Sequence, residues 1–178
     1  NAAEMQAIAD QLFVGNKLAS GDLRTADGVR VDLRNIKSPI IVFCSWGDDI
    51  TPPPQALGWI ADLYDHEDEI VAAGQTIVYS LHQTIGHLGI FVSGNVATKE
   101  HGEFAQCMDM IDLMPPGLYE AVITGVDDSV ENPELVRGDY LFSLESRRLA
   151  DIRRICTNLP EDDLRFATAA RVSEINQG

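Results

Sequence analysis

Ile40-Ile41-Val42-Phe43-Cys44-Ser45-Trp46-Gly47-Asp48-Asp49-Ile50-Thr51-Pro52 is the stretch on which the reading of this chain turns. Five consecutive apolar, largely β-branched residues, Ile40 to Cys44, predict a strand buried on both faces of a parallel sheet. The change to Gly47-Asp48 and the pattern Asp48-x-Ile50-x-Pro52 then predict a loop at the C-terminal end of that strand, with a carboxylate on it. Downstream, Thr76-Ile77-Val78-Tyr79 predicts a second strand, and Ile85-Gly86-His87-Leu88-Gly89 carries a histidine just beyond it. A carboxylate that accepts from the Nδ1–H of an imidazole fixes its tautomer and leaves Nε2 to take a proton from a hydroxyl or thiol. Asp48 and His87 are therefore the candidate catalytic residues. Asp49 is a second candidate for the acid, but the Asp-x-Ile-x-Pro register favours Asp48. A plainer reading stands beside this one, in which Asp48 caps a turn and His87 is a partly buried, satisfied histidine.

Working outward, a helix is predicted from about Gln55 to Leu63, with Leu57, Ile60, Ala61 and Tyr64 inward and the acidic run Asp65-His66-Glu67-Asp68-Glu69 at its end. Strand, loop, helix and strand in that order predict the α/β class. Two further helices are expected, over Leu88 to Val96 and Glu100 to Met114, the second stopped by Pro115-Pro116-Gly117. That turn is the expected boundary between a first unit, residues 1–114, and a small α+β appendage, residues 115–178. In the appendage, strands are predicted over Leu118 to Thr124 and Tyr140 to Leu144, with helices near Arg147 to Cys156 and Glu161 to Asn176. Before the first strand, Asn1 to Leu18 is helical in pattern, with Met5, Ile8, Ala9, Leu12 and Phe13 on one stripe. It begins so abruptly that the chain reads as part of a longer protein.

Lys and Arg number 13 against 28 Asp and Glu, a net charge of -15. Such a balance argues against nucleic acid and anionic membrane surfaces as partners. The hydrophobic content of 45% suits one soluble globular domain, and no apolar run is long enough to span a bilayer. Cys44, Cys107 and Cys156 are odd in number and widely spaced, which predicts reduced thiols and a cytoplasmic setting.

A nucleophile on a strand-to-helix elbow would read Gly-x-Ser-x-Gly or Gly-x-Cys-x-Gly, and neither pentapeptide occurs. The chain thus reads as the acid-and-base half of an α/β-hydrolase-type site, the C-terminal portion of the parallel sheet. Asn16-Lys17-Leu18 with Gly21, then Gly28, Val31-Asp32-Leu33, Ile36, Pro39, Asp48, Ile50, Pro52 and Gly86-His87 resemble, in order and register, the C-terminal catalytic region of poly(3-hydroxyalkanoate) synthases. The likeness runs from about Ala9 to Gly89 and is that of a synthase-like side branch. Asp49 stands where the synthases commonly carry His, the interval from Asp48 to His87 is longer than theirs, and the sequence after Pro115 has no counterpart in them. The resemblance implies that His87 activates a cysteine or serine upstream of Asn1, that Asp48 orients His87 or assists the substrate hydroxyl, and that the acyl group comes from a 3-hydroxyacyl thioester. No cofactor is implied, coenzyme A entering only as the carrier of such a substrate.

Other constellations are weaker. Cys44 with Asp48 and His87 would make an internal Cys-His-Asp set, but a thiol ending a buried strand reads as a core residue. His82 and His87 lack a metal-binding signature. Arg147, Arg148, Arg153 and Arg154 form a basic patch that either meets a coenzyme phosphate or is a solvated helix face. Two classes of function remain. One is an acyl-transfer fragment, synthase-like or a plain esterase or depolymerase; the other is a non-catalytic hydrolase-like module that binds partners. A sheet cut before its nucleophile strand also predicts that the piece alone is inactive and pairs through Ile40 to Cys44, either with itself or with the N-terminal remainder of the parent protein.

Overall fold

The computed structural model describes residues 1–89, 102–125 and 140–157, together with 164, 165, 167–169, 171, 172 and 175. Its centre is a four-stranded sheet in the order β1-β2-β3-β4, formed by β1 (Ile40–Ser45), β2 (Thr76–His82), β3 (Gly117–Gly125) and β4 (Tyr140–Ser146). β1, β2 and β3 are parallel, and β4 returns antiparallel to β3. The class is α/β, and the sheet is mixed where a parallel one was expected. The strands expected beyond residue 115 extend this same sheet, so Pro115-Pro116 lies just before β3, which begins at Gly117 beside β2.

α1 (Ala2–Ile8) opens the chain and continues as a π-helical turn over Ala9–Phe13. Its apolar stripe is not buried: Met5 is 73% and Phe13 72% exposed. Between β1 and β2 lie two helices rather than one. α2 (Pro53–Leu63) starts on consecutive prolines, whose missing N–H groups cost nothing in a first turn, and it buries Leu57, Ile60 and Leu63. The acidic run that was expected to end it starts α3 (Glu67–Ala73) instead. Glu67, Asp68 and Glu69 occupy the first turn, where the helix dipole favours negative charge, and Ile70 turns inward. α3 ends at Gly74 in the left-handed conformation.

The two faces of the sheet carry separate cores. On one, Cys44, Ile77, Tyr79 and Leu118 meet Leu57 and Ile60 of α2 and Ile70 of α3. Leu149 and Ile152 of a later helix, α5 (Leu149–Ile155), complete that layer, and the main-chain N–H of Leu149 donates to Glu67 Oε1 at 2.9 Å. On the other face Val78, Tyr119 and Ala121 cluster with Ile111 of α4 (Gly102–Asp112). Gln75, fully buried before β2, accepts from the Tyr64 hydroxyl and donates to the carbonyls of Leu33 (2.7 Å) and Ile36 (3.1 Å), which ties the segment before β1 to the sheet.

β2 is the central strand, with Thr76 to Ser80 buried. β1 is the more apolar strand, yet Ile40 to Phe43 are only partly buried because, among the described residues, it pairs only with β2. Most of the helix expected over Leu88 to Val96 lies outside the described residues, as do residues 126–139; those described between 164 and 175 are helical and exposed. No helix among the described residues is long and apolar enough to cross a membrane.

Candidate active site

Parallel pairing of β1 and β2 puts their C-terminal ends side by side, with Ser45 opposite His82. Each then runs into a loop at the same edge of the sheet, and the two loops are tied together by main chain: Trp46 N–H donates to the His82 carbonyl at 2.9 Å. Gly47 touches the second loop directly. A Cβ built there would lie 2.4 Å from the carbonyl carbon of Thr84, a distance no side chain could occupy, so close approach of the two loops requires glycine. The second loop is braced from inside by His82, whose Nδ1 accepts from the N–H groups of Thr84 and Ile85, both at 3.2 Å. Neither Gly47 nor His82 was singled out for this role from sequence. The apposition of Gly47 and Thr84 is visible only once the strands are paired.

The structure brings Asp48 and His87 together across these loops, with His87 Nδ1 2.9 Å from Asp48 Oδ2. The other carboxylate oxygen of Asp48 accepts from the N–H groups of Ile50 and Thr51, each at 2.8 Å. Burial opposes ionisation of Asp48, whose side chain is 2% exposed, but the Thr51 N–H, the His87 ring and the Ile50 N–H together outweigh it and hold the carboxyl below the ordinary carboxylate range. An ionised Asp48 accepts only, so the His87 nitrogen facing it carries the proton and Nε2 is the basic nitrogen. The His87 side chain is 37% exposed, and no described residue bonds its Nε2. Asp49, the other candidate acid, is exposed.

The remaining candidates fall elsewhere. Cys44 is buried in the core under α2, its Sγ 3.6 Å from the Ser80 carbonyl, and burial pushes its thiol up to about 12; it is no ready thiolate. All three cysteines are free of disulfides. No group of His, Cys, Asp and Glu among the described residues could hold a metal ion. The arginines lie at the opposite edge of the sheet, where β4 ends beside the start of β3. Arg147 pairs with Glu120 at 2.7 Å and Glu145 at 2.5 Å, Arg154 with Asp151 at 3.1 Å, and Arg153 donates to the Asp65 carbonyl. Of the motif residues nearer the N-terminus, Asp32 is occupied locally, clasping Arg34 through both oxygens and accepting from its main-chain N–H.

A family model described as a protein of unknown function (DUF3141) matches residues 1–178. A protein of Rhizobium meliloti, described as an uncharacterized protein in the ackA 5'region, is 64% identical over 176 residues, which are 99% of this chain and 24% of the relative. The chain thus spans about a quarter of that relative's length. No solved structure matches.

Proposed function

We propose, for a chain that belongs to the DUF3141 family of proteins of unknown function, that Asp48 and His87 are the acid and base of an acyl-transfer site of the α/β-hydrolase type, with the nucleophile supplied from sequence outside these 178 residues. One observation carries this reading: a buried, ionised carboxylate bonded to the Nδ1 side of an imidazole whose Nε2 has no partner among the described residues, at the edge of a sheet where two parallel strands end. His87 Nε2 takes the proton of a cysteine or serine as that group attacks the carbonyl carbon of a thioester, and the positive ring is stabilised by Asp48. As the tetrahedral intermediate collapses, the carbon–sulfur bond breaks and Nε2 returns the proton to the departing thiolate. In the second half-reaction Nε2 takes the proton of an acceptor hydroxyl as it attacks the acyl-enzyme; the bond between acyl carbon and nucleophile then breaks, and Nε2 returns the proton to the released nucleophile.

The resemblance to poly(3-hydroxyalkanoate) synthases supports a 3-hydroxyacyl thioester as donor and a 3-hydroxyl group as acceptor. Ester hydrolysis is the second reading, favoured by the exposure of the His87 ring, since water reaches the same nitrogen. The test uses the full-length protein, following thiol release from 3-hydroxyacyl-coenzyme A thioesters beside hydrolysis of simple aryl esters, for the natural protein and His87→Gln. Thiol release lost in the variant supports the synthase-like reading, and loss of ester hydrolysis alone supports the second. Turnover untouched by His87→Gln would refute both.

A further inference from the structure

We infer that His82 is a positioning residue for the base: through the lone pair of its Nδ1 it holds the loop that carries His87, so that the two histidines work in opposite tautomers. The kinetic consequence rests on the acyl-transfer reading; the geometry does not. His82 ends β2, and burial contributes little to the placement of the loop beyond it: none of residues 83–89 is buried, and Leu88 is 71% exposed. Polar contacts fix the loop instead. His82 Nδ1 accepts from the N–H groups of Thr84 and Ile85, both at 3.2 Å. The next four residues form a turn in which Gly89 N–H donates to the Gly86 carbonyl at 2.8 Å, with His87 inside it. The braced amide of Ile85 directly precedes that turn, so a shift of the brace is passed on to the imidazole.

A ring nitrogen that accepts from two N–H groups carries no proton, which puts the proton of the neutral His82 ring on Nε2. His87, bonded to an ionised carboxylate, carries its own on Nδ1. The first loop starts in the same way. Ser45, opposite His82 in the register, is fully buried, and its Oγ accepts from the N–H two residues on, that of Gly47, at 3.1 Å. Both loops of the dyad thus begin with a side chain turned back on its own main chain, the device by which Ser, Asn and Asp start turns. Histidine serves here as an asparagine would, with Nδ1 standing the same number of bonds from the backbone as an asparagine Oδ1.

That equivalence supplies the test, a comparison of His82→Asn with His82→Gln in the full-length protein. Asparagine keeps an acceptor at the Nδ1 position, whereas glutamine offers the same amide one bond further out, away from the two N–H groups. The expected result is that His82→Gln lowers kcat for thiol release from 3-hydroxyacyl-coenzyme A roughly 10²-fold, as a misplacement of about 1 Å does, with KM little changed, and that His82→Asn restores most of the loss. The downfield NMR proton of the Asp48–His87 hydrogen bond is read on the same samples. It should persist in His82→Asn and weaken or vanish in His82→Gln. Equal behaviour of the two variants in that signal, both keeping it or both losing it, would overturn the inference. A natural protein without turnover, but with this contrast between the variants intact, would strike the acyl-transfer reading and leave the positioning role standing.

Discussion

Each end of the sheet holds an ionic cluster, and the two are built to opposite rules. At the end where β3 starts and β4 finishes, Arg147 lies between Glu120 and Glu145, and Glu120 also accepts from the Tyr79 hydroxyl at 3.4 Å. The carboxylates beside Arg147 raise the pKa of its guanidinium, and burial raises that of Tyr79, so each stays in one protonation state throughout the ordinary pH range. At the end where β1 and β2 finish, Asp48 is as fully satisfied as any group there, but it serves an imidazole whose basic nitrogen no described residue bonds. A satisfied cluster stabilises, whereas one with a single open, titratable member can exchange a proton. The difference separates in the fold a basic patch and an acid–base pair that the sequence had already ranked apart.

Substitution at the dyad should give the largest contrast. Asp48→Asn keeps an oxygen for the Ile50 and Thr51 N–H groups, so the turn survives while the hydrogen bond that selects the His87 tautomer is lost. If the serine-hydrolase template applies, turnover by the full-length protein should fall on the order of 10⁴-fold with an unchanged circular dichroism spectrum. Gly47→Ala should act more weakly but in the same sense. Moving the loops apart by about 1 Å should cost roughly 10²-fold in turnover, and the Asp48–His87 hydrogen-bond proton should weaken or vanish from the downfield NMR spectrum. At the other end, Arg147→Ala should leave turnover intact and lower stability in chemical denaturation by about 1 kcal/mol, as a part-exposed ion pair does. A loss of turnover there comparable to that of Gly47→Ala would erase the distinction between the two ends.

Acidity offers a gentler probe. The Asp48 carboxyl lies below its unfolded value, so the stability it contributes is fully present above about pH 3.9, the unperturbed aspartate value, and is lost only as pH falls through the lower folded one. A natural protein titrated downwards should therefore keep the dyad proton signal to about pH 4. The Cys44 thiol, pushed up to about 12, works in the other direction: its contribution is constant below about pH 8.5, the usual thiol value, and declines as pH rises from there towards 12. A thiol reagent at pH 8 should leave Cys44 unmodified in the folded protein, and rapid labelling there would return Cys44 to contention as a nucleophile.

Much of the dyad end was legible in the sequence for a local reason. A run such as Ile40 to Cys44 has few alternatives to a strand, and turn residues directly after it place Asp48 at the strand's end. The position of His87 followed from the same logic applied to β2. What could not be read depends on neighbours. The acidic run Asp65 to Glu69 looks like a helix stop until the break at Asp65 and His66 leaves Glu67 to Glu69 on a new N-terminus, with Ile70 facing the core. The direction of β4 depends on its partner, since an alternating segment pairs either way. The half-exposure of β1 is likewise a property of sheet order, and no inspection of Ile40 to Cys44 alone would reveal it.

The three hydrogen bonds on the Asp48 carboxylate also decide which half of the dyad moves. With one oxygen clamped to two amides of its own turn, the acid has no rotation left with which to follow a departing ring. Any opening of the pair must come from the histidine side, by a swing of the His87 side chain or of the loop that carries it. The arrangement behaves as a latch with a fixed keeper: contact is made and broken from one side, and the resting geometry is recovered without a search by the carboxylate.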